Sequence, residues 1–588
     1  MSGKGITGYS ALLMGTVLML FTVLFSGCSK LPLNAAQQGN DHEVTERDER
    51  SMSPYASNAM KISELTDQLR LEVAIPAWKE DTSPFQFTQS IYGNWANHYV
   101  WNGQYAMKRI QEKTGVRINR KLAVGNDEDY LNINGELPDT IMLDWSSPAA
   151  AKLIDGGLVY SIDELINAYA PNLWQMLDPE MVQYHSVNGK LWYLPNLYER
   201  ESRLRDGKPL VPIRPWFIRR DVYEELGKPR METVEDLKTI LAEIKQQDLA
   251  RYPLALDYFD VAQNGFAGSN SLDYLIYSFA PYLSEERISD ERQELVYPMR
   301  NEGFIEAFRY LNSLYREGLL DPKFLIAKGA QYEAGMYLAE YGVASQQMTG
   351  LYARFNPVIA STLSEEKTYL VLDGVAAGER KPRYPASRLL GGQGFFITKQ
   401  AENPKRIISF VEYALSDEGQ LDFLYGAEGE TYEMVNGLPQ YVPEVRDLMN
   451  SDYIAWQSKY GFGASTLLWN GSPMFFKAEL REMILSRPDE YNASMKLSRF
   501  TYDDYALGMG NLEPSVSSPE GVINAKIKDL WNKTILHLIM ASSDEDFDKA
   551  YWTFIEMMDS AGAKKVERAM YRNHLLDLEK KGIIAAKS

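Results

Sequence analysis

The sequence predicts an α/β protein with largely parallel strands, and three observations support that prediction. Strand-like and helix-like segments alternate along most of the chain, an order that places helices on the faces of a parallel sheet. The 588 residues suffice for several domains. Hydrophobic residues make up 45% of the chain and charged residues 24%, as in an average soluble protein. That composition excludes a disordered chain, a collagen-like repeat and a polytopic membrane protein.

The first alternating elements begin where the folded region begins. Residues 69–78 alternate apolar and polar side chains, which predicts a strand that ends at Trp78. Residues 103–114 predict a helix, and residues 116–124 predict the strand that follows it. A short apolar run within 136–145 predicts a third strand.

Capping and stop signals set the bounds of later elements. A glycine pair at 156–157 stops one helix, and Ser161 with Glu164 three residues later predicts a capping box at the next. Thr233 and Asp236 cap a further helix in the same way. The other predicted elements are a strand within 188–195, a helix within 304–322, a strand from residue 342, a glycine-flanked strand over 389–398, a helix within 403–426 and two terminal helices split near Gly562.

Two predicted strand ends carry candidate ligand contacts. In open α/β sheets, ligands bind at the carboxyl ends of strands, where Trp78 and the pair Asp144-Trp145 lie. A sugar ring stacks its C–H face on an aromatic ring and its hydroxyls need hydrogen-bond partners, so Asp144 and Trp145 together supply both. The alternative for either tryptophan is a structural role, because most of the 12% aromatic residues are expected to fill the core.

The N-terminus predicts a lipoprotein signal. An apolar stretch over 11–25 has the length of a signal-peptide core rather than of a transmembrane helix. Cys28, the only cysteine, follows two small residues and so resembles the lipidated cysteine of a bacterial lipobox. Residues 1–27 are therefore predicted to be the signal peptide, and the polar segment 28–68 a lipid-anchored flexible tether. An uncleaved anchor, or a secretory signal with an incidental cysteine, is the alternative.

Composition and missing motifs exclude several function classes. The net charge of −19 repels phosphate backbones, so nucleic acid is not an expected partner. Five histidines and one cysteine leave little for a zinc site or a Cys/His catalytic pair. We find no phosphate loop, nucleophile elbow or zinc motif, and we interpret carboxylate pairs such as Asp503-Asp504 as surface charges. We therefore expect no catalytic residues, no metal and no cofactor.

A family resemblance rests on a set of stretches that occur in one order from about residue 70 to the C-terminus. They are LPDTIMLDW, AKLIDGGLVYSIDELINAYAPNL, NGKLWYLP, WFIRRDVYEELGKPRMETVEDLKTIL, YREGLLDPKF, GGQGFFIT, NPKRIISFVEYALSDEGQLDFLYGAEGETYE and FDKAYWTFIEMMDSAG. In this order they resemble the extracellular solute-binding proteins of family 1, the lipoprotein receptors of bacterial ABC sugar importers. More narrowly, they look like the large Paenibacillus-type subgroup.

The resemblance implies a two-lobed, periplasmic-binding-protein-like fold of type II with a hinge and an inter-lobe cleft. The N-terminal lobe is expected over 69–197 and 368–399, and the C-terminal lobe over 210–367 and 400–588. NGKLWYLP and GGQGFFIT would be the hinge strands. The ligand is expected between the lobes, where closure buries it.

The resemblance also adds candidate ligand contacts. Tyr198 and Arg200 follow the first hinge strand, with a solvated charge cluster as their alternative. Tyr352 follows a segment that faces the cleft in relatives. Gln393 lies between glycines on the second hinge strand, where a ligand can approach closely. Trp469 lies in a loop-like stretch that is placed to cover the cleft.

Together these features predict a non-enzymatic, lipid-anchored binding protein on the outer face of the cell membrane. As a monomer it would capture an oligosaccharide and deliver it to the transmembrane subunits of an ABC permease. One alternative is a surface glycoside hydrolase or polysaccharide lyase, and another is a partner that presents ligand to a sensor kinase. The charge of the sugar stays open, because Arg200 and Lys79 favour an acidic saccharide without deciding it.

Overall fold

The computed structural model describes residues 75–92, 103–123, 136–196, 198, 209–212, 214–256, 272–325, 329–385, 391–462, 471–504, 507–509, 512–515 and 518–584. All of them belong to one compact unit that begins at Asn58. The predicted signal peptide (1–27), the lipidation site Cys28 and the predicted tether (28–68) lie outside the described residues.

The strands are numbered in chain order and vary from two to eight residues in length. They are β1 (Phe85–Tyr92), β2 (Val116–Ala123), β3 (Thr140–Asp144), β4 (Leu194–Pro195), β5 (Trp216–Arg219), β6 (Tyr252–Ala255), β7 (Ile288–Ser289), β8 (Glu294–Leu295), β9 (Tyr341–Ser345), β10 (Tyr369–Val371), β11 (Tyr384–Pro385), β12 (Gln393–Ile397), β13 (Tyr432–Val435), β14 (Leu438–Tyr441) and β15 (Thr501–Tyr502).

The α-helices are numbered in the same way. They are α1 (Ala77–Glu80), α2 (Tyr105–Thr114), α3 (Pro148–Asp155), α4 (Ile162–Tyr169), α5 (Pro179–His185), α6 (Arg220–Glu225), α7 (Val234–Gln246), α8 (Asp273–Phe279), α9 (Leu283–Glu286), α10 (Glu302–Arg316), α11 (Gly329–Tyr337), α12 (Met348–Gly350), α13 (Asn356–Thr362), α14 (Pro404–Leu415), α15 (Asp417–Leu424), α16 (Pro443–Ser451), α17 (Tyr453–Tyr460), α18 (Pro473–Ser486), α19 (Pro488–Leu497), α20 (Pro519–Ile539), α21 (Asp544–Ala561) and α22 (Ala563–Lys580).

The first sheet has the strand order β2-β1-β3-β12-β4. The pairs β1–β2 and β1–β3 are parallel, whereas β12 runs antiparallel to both β3 and β4. Side chains alternate between its two faces, as a strand requires. Phe87, Met142 and Phe395 enter one core cluster, and Leu143 and Phe396 enter the other. The sheet is thus buried on both faces, as the α/β prediction expects.

The second sheet has the strand order β10-β5-β9-β6. Only β6 and β9 pair in parallel, and β5 runs antiparallel to both of its neighbours. Trp216 and Ile218 face one core cluster, while Phe217 and Tyr369 face another. This sheet is buried on both faces too, so the described residues build two separate sheet-centred cores.

The chain crosses between these cores after β4, after β10 and along the helix pair α18–α19. β4 and β12, the strands expected to act as hinge strands, pair with each other in the first sheet. β11 and β15 form a short parallel ladder that joins the second and third connections. The three connections agree with a hinge of crossing segments.

Sheet membership corrects the expected lobe ranges at two places. Residues 368–399 were expected in the N-terminal lobe as one piece, but β10 pairs with β5 of the second sheet. Residues from 400 onward were expected in the C-terminal lobe, but α14 packs Ile407 and Val411 into the core of the first sheet. Strand pairing and packing over long sequence distances assign both segments, and sequence order alone does not reveal them.

The first predicted strand is wrong over its described part. Residues Ala77–Glu80 form one helical turn after Pro76, and the strand of this region begins only at Phe85. The turn inserts Trp78 into the core, where its backbone N–H donates to the carboxylate of Glu412 at 3.3 Å.

Most other local predictions are confirmed. Gly115 ends α2 with a φ of 72°, and Gly562 separates the two terminal helices. Thr233 and Asp236 form the predicted capping box at α7. Ser161 does precede α4, but its side chain does not cap the helix. The hydroxyl donates to Asp163, so the predicted capping box at that helix is not formed.

Candidate functional site

Three strand ends meet at one edge of the first sheet. Asp144 ends β3 and Gln393 begins β12, and the antiparallel register places these two residues directly opposite each other. Residues in such a pair project to the same face, with β-carbons about 5 Å apart. Tyr92 ends β1, and its carbonyl accepts a hydrogen bond from Nε2 of Gln393. The predicted strand end at Asp144 is therefore confirmed and lies beside a second candidate residue.

The Asp144 carboxylate is exposed at this edge. Its Oδ1 accepts hydrogen bonds from the backbone N–H of Ser146 at 2.8 Å and from the Ser146 hydroxyl at 2.7 Å. Ser147 then caps α3 by accepting from the N–H of Ala150. The second carboxylate oxygen accepts no hydrogen bond from the described residues, so it remains available to a ligand.

The amide of Gln393 is oriented by its surroundings. A carbonyl oxygen accepts only from a donor, so the bond to the Tyr92 carbonyl identifies the nitrogen and leaves Oε1 as the free end. That oxygen is buried and has no donor among the described residues. The backbone N–H groups of Gly392 and Gln393 both donate to Oδ1 of Asn196, at 3.0 and 2.7 Å. Asn196 thus fixes the start of β12.

The indole of Trp145 is held in one orientation. Its Nε1 donates to the carbonyl of Gly391 at 2.6 Å. Its ring lies 5.0 Å from the ring of His185, 6.1 Å from that of Tyr184 and 6.2 Å from that of Tyr193. The side chain stays partly exposed. A rigid, partly exposed aromatic ring beside a carboxylate is the combination that a sugar ring requires.

Gly391 makes this arrangement possible. Its φ is 89°, a left-handed value that side-chain-bearing residues rarely adopt. A β-carbon at this position would lie 2.5 Å from the Cβ of Pro195 and 2.7 Å from the carbonyl of Asn196. The glycine-rich stretch before β12 therefore lets the two connecting segments approach each other closely beside Trp145.

The buried rings of Tyr193 and His185 form an aromatic layer that packs against Trp145. The Tyr193 hydroxyl lies 3.2 Å from Nδ1 of His185, and both residues are almost fully buried. Burial raises the pKa of Tyr193 well above its ordinary value, and the nearby carboxylate of Asp144 adds to that rise. Tyr193 therefore stays a neutral phenol and acts as packing for the indole.

Tyr198, another candidate contact, also lies next to this layer. It is buried in the first core, and its ring centroid is 6.3 Å from that of His185. Arg200 and Trp469 lie outside the described residues.

Trp78 and Tyr352 lie elsewhere in the described part of the chain. Trp78 is 6% exposed and packs edge-on against Tyr413 at 4.8 Å, so it is a core residue rather than a strand-end contact. Tyr352 lies on a π-helical turn at the second sheet, with its ring 6.3 Å from Phe217. Burial raises the pKa of Tyr352. Among the described residues, Tyr352 shares no hydrogen bond or ring contact with the edge at Asp144.

Sequence reasoning missed four residues of this edge: Tyr92, His185, Tyr193 and Asn196. A usable signal existed for two of them, because Tyr193 and Asn196 lie within and directly after NGKLWYLP, next to the expected first hinge strand. Tyr92 was missed because its strand was placed too early in the chain. Nothing local marks His185.

A contact between the two cores lies behind Trp145. The hydroxyl of Tyr184, on α5, donates to Oδ1 of Asp577 on α22 at 3.0 Å. Asp577 is buried and pairs with the ammonium of Lys581 at 2.6 Å. Tyr184 also contacts the Trp145 ring, so it links the candidate site to Asp577 on the C-terminal helix α22.

A groove of about 830 Å³ opens on the second core, lined by Glu235, Phe279, Glu306, Arg309, Tyr310 and residues 377–380. Both arginines of its lining are paired, since Arg380 contacts Glu306 at 3.2 Å and Arg309 contacts Asp548 at 2.6 Å.

Within the described ranges, no cluster of three or more His, Cys, Asp or Glu side chains is arranged to hold a metal ion. None of the helices described there combines the length and apolar character needed to cross a membrane.

Two curated proteins are similar in sequence. One is the fructooligosaccharide ABC transporter substrate-binding protein FusA of Streptococcus pneumoniae, 25% identical over 262 residues, which are 40% of this chain and 46% of FusA. The other is lipoprotein LipO of Bacillus subtilis, 23% identical over 350 residues, which are 57% of this chain and 65% of LipO. The matches thus span less than two thirds of either relative. No family model matches the chain.

Solved structures are similar over most of the chain. The alginate-binding protein AlgQ2 has a TM-score of 0.62 at 16% identity, with 86% of this chain and 100% of AlgQ2 covered. The S. pneumoniae FusA complex with kestose has a TM-score of 0.60 at 16% identity, with 84% of this chain and 99% of that chain covered. The chain has the two-lobed α/β fold of the substrate-binding proteins. The fold prediction is therefore confirmed.

Proposed function

We propose that this chain is the extracellular substrate-binding lipoprotein of an ABC importer. It captures a carbohydrate, an oligosaccharide in our proposal, at the edge formed by Asp144, Trp145 and Gln393, and hands it unchanged to the permease. The observation that carries the proposal is the juxtaposition of a fixed, partly exposed indole with an available carboxylate at the carboxyl end of β3.

The chemistry of this edge suits a sugar. Carbohydrate rings present apolar C–H faces and donate through their hydroxyls, and Trp145 and Asp144 match these two properties. The names of two relatives point the same way, since FusA is a fructooligosaccharide-binding protein and AlgQ2 an alginate-binding protein.

A binding role without catalysis fits the same edge better than hydrolysis does. Glycosidases use two carboxyl groups that flank the bond to be broken. At the described part of this edge, Asp144 is the carboxylate, and its neighbours across the strand and along the layer are the amide of Gln393 and the rings of Tyr193 and His185.

The N-terminal sequence supports the location. We propose that Cys28 carries the lipid and that residues 29–68 tether the binding body at the outer face of the membrane. The name of LipO, a lipoprotein, is in keeping with this arrangement. Metabolic labelling with a radioactive fatty acid tests it: the wild-type chain should incorporate label, and Cys28→Ala should lose both label and membrane retention.

The binding claim is tested by a thermal-shift screen of the purified chain against a glycan library, followed by calorimetry with each hit. We expect saturable binding of at least one oligosaccharide and recovery of that oligosaccharide intact by mass spectrometry. Absence of any glycan ligand would contradict the carbohydrate assignment, and conversion of the bound glycan would contradict the binding-only role.

A further inference from the structure

Two acceptors at this edge have no hydrogen-bond donor among the described residues. One is the second oxygen of the Asp144 carboxylate, and the other is Oε1 of Gln393. One N–H of the Gln393 amide donates to the Tyr92 carbonyl, and this bond orients Oε1 as the end of the amide that has no donor. A ligand that satisfies both acceptors must therefore bring two hydrogen-bond donors.

The two residues that carry these acceptors lie close enough together to contact one sugar ring. Asp144 and Gln393 are direct cross-strand partners on one face, with β-carbons about 5 Å apart. Two hydroxyls on adjacent carbons of one sugar ring can each donate to one of them. Gln393 gains most from this, because its buried acceptor has no donor among the described residues.

Among the described residues, the charge at this edge is negative and opposes an anionic ligand; Arg200 lies outside them. Asp144 forms no ion pair with any lysine or arginine in the described part of the chain. Lys79, one of the two cations that favoured an acidic sugar, instead contacts Glu418 at 3.7 Å and lies over the ring of Trp78. Lys121 lies on β2, which β1 separates from β3.

We propose that this edge selects an uncharged oligosaccharide through a pair of neighbouring hydroxyls and disfavours a uronate. The inference rests on the proposed function and names the substrate class of the same site. It separates this chain from its structural neighbour AlgQ2, whose name states that it binds alginate. A carboxylate ligand beside Asp144 loses affinity through repulsion, and a neutral sugar of the same shape does not.

The first test compares glycans that differ only in charge. The probes are the best neutral glycan from the library screen, the same glycan oxidised to a carboxylate at a primary alcohol, and the methyl ester of that product. We expect the oxidised glycan to bind at least about tenfold more weakly than the neutral one. The ester should recover most of the affinity, and added sodium chloride should narrow the gap.

The second test changes the two acceptors. Gln393→Met removes the orphaned oxygen at similar volume and should weaken the neutral glycan by about tenfold. Asp144→Asn keeps an acceptor but removes the charge, so it should bring the affinities of the neutral and oxidised glycans closer together. Asp447→Asn, an exposed position on α16, is the matched control and should leave their ratio unchanged.

The outcomes separate this inference from the proposed function. If no glycan of either charge binds, the carbohydrate function fails and the inference fails with it. If glycans bind but the oxidised form binds as tightly as the neutral form or more tightly, only the inference is overturned. An unchanged ratio in Asp144→Asn overturns it as well. The salt and ester comparisons use the wild-type chain, so they decide the question even if a variant misfolds.

Discussion

Two tryptophans with the same local signal lie in different environments in the folded chain. Trp78 and Trp145 each follow an apolar run and have a charged neighbour, which made both of them candidate sugar contacts. In the structure Trp78 is 6% exposed and packs on Tyr413, whereas Trp145 stays partly exposed and donates to the Gly391 carbonyl. One tryptophan belongs to the core and the other to the candidate site.

The difference shows what a strand-end pattern can and cannot predict. Trp145 directly follows the last residue of a strand, and a distant glycine carbonyl positions its indole at the sheet edge. Trp78 belongs to a short helical turn whose amide is held by the buried carboxylate of Glu412. Long-range partners, and not the local pattern, decide which tryptophan lies at the candidate site.

The largest expected effect is on the stability of the first core. Trp78→Ala should lower the free energy of unfolding by about 3–5 kcal/mol, because it removes a large side chain packed against Tyr413. The affinity of the folded variant for the glycan should equal that of wild type. Urea denaturation measures the stability and calorimetry measures the affinity. A Trp78→Ala variant that is as stable as wild type but binds the glycan more weakly would show that Trp78 contacts the ligand.

The next effect concerns binding. Trp145→Ala should weaken glycan binding by about 1–3 kcal/mol, the usual loss for a buried aromatic contact. Trp552, an exposed tryptophan on α21, offers the matched control: Trp552→Ala should bind as wild type does. Calorimetry on both variants measures the difference. Equal affinities for Trp145→Ala and wild type would remove the indole from the site.

A smaller effect is expected where the cores meet behind Trp145. Tyr184→Phe removes the hydroxyl that donates to Asp577 and keeps the ring that contacts Trp145. Stability should fall by about 0.5–1.5 kcal/mol. Lys581 still pairs with Asp577, which limits the loss. Thermal denaturation measures the change, and a loss of several kcal/mol would mean that the phenol does more than make this hydrogen bond.

The smallest effect depends on pH. Burial raises the pKa of Glu412, so folding favours its protonated form. Its contribution to stability is therefore fully present below the ordinary pKa of glutamate, and it is lost as pH rises through the folded-state pKa. Glu412→Gln cannot ionise, and its melting temperature should exceed that of wild type near about pH 8 but not near about pH 4. A difference that stays constant with pH would contradict this account.

Much of the local structure could be predicted because its causes are local. Gly115 and Gly562 end helices through left-handed backbone, and the Thr233–Asp236 box forms as expected. The Ser161 prediction failed because Asp163 takes the serine hydroxyl and also accepts from the N–H of Leu191.

The candidate site could be predicted only in part, for a reason of sequence distance. Asp144 and Gln393 were each found separately, but their pairing joins strands about 250 residues apart in sequence, and no local pattern encodes that register. Asn196, which fixes the start of β12, and Tyr92, which orients the Gln393 amide, depend on the same pairing.

The most direct test of the account is hydrogen–deuterium exchange with and without the identified glycan. We predict that the glycan slows exchange in peptides covering residues 140–147 and 391–397, which contain the candidate edge, and leaves residues 75–80 around Trp78 unchanged. Protection at 75–80, or glycan binding with no protection at either stretch of the edge, would contradict the assignment of the sugar site to Asp144, Trp145 and Gln393.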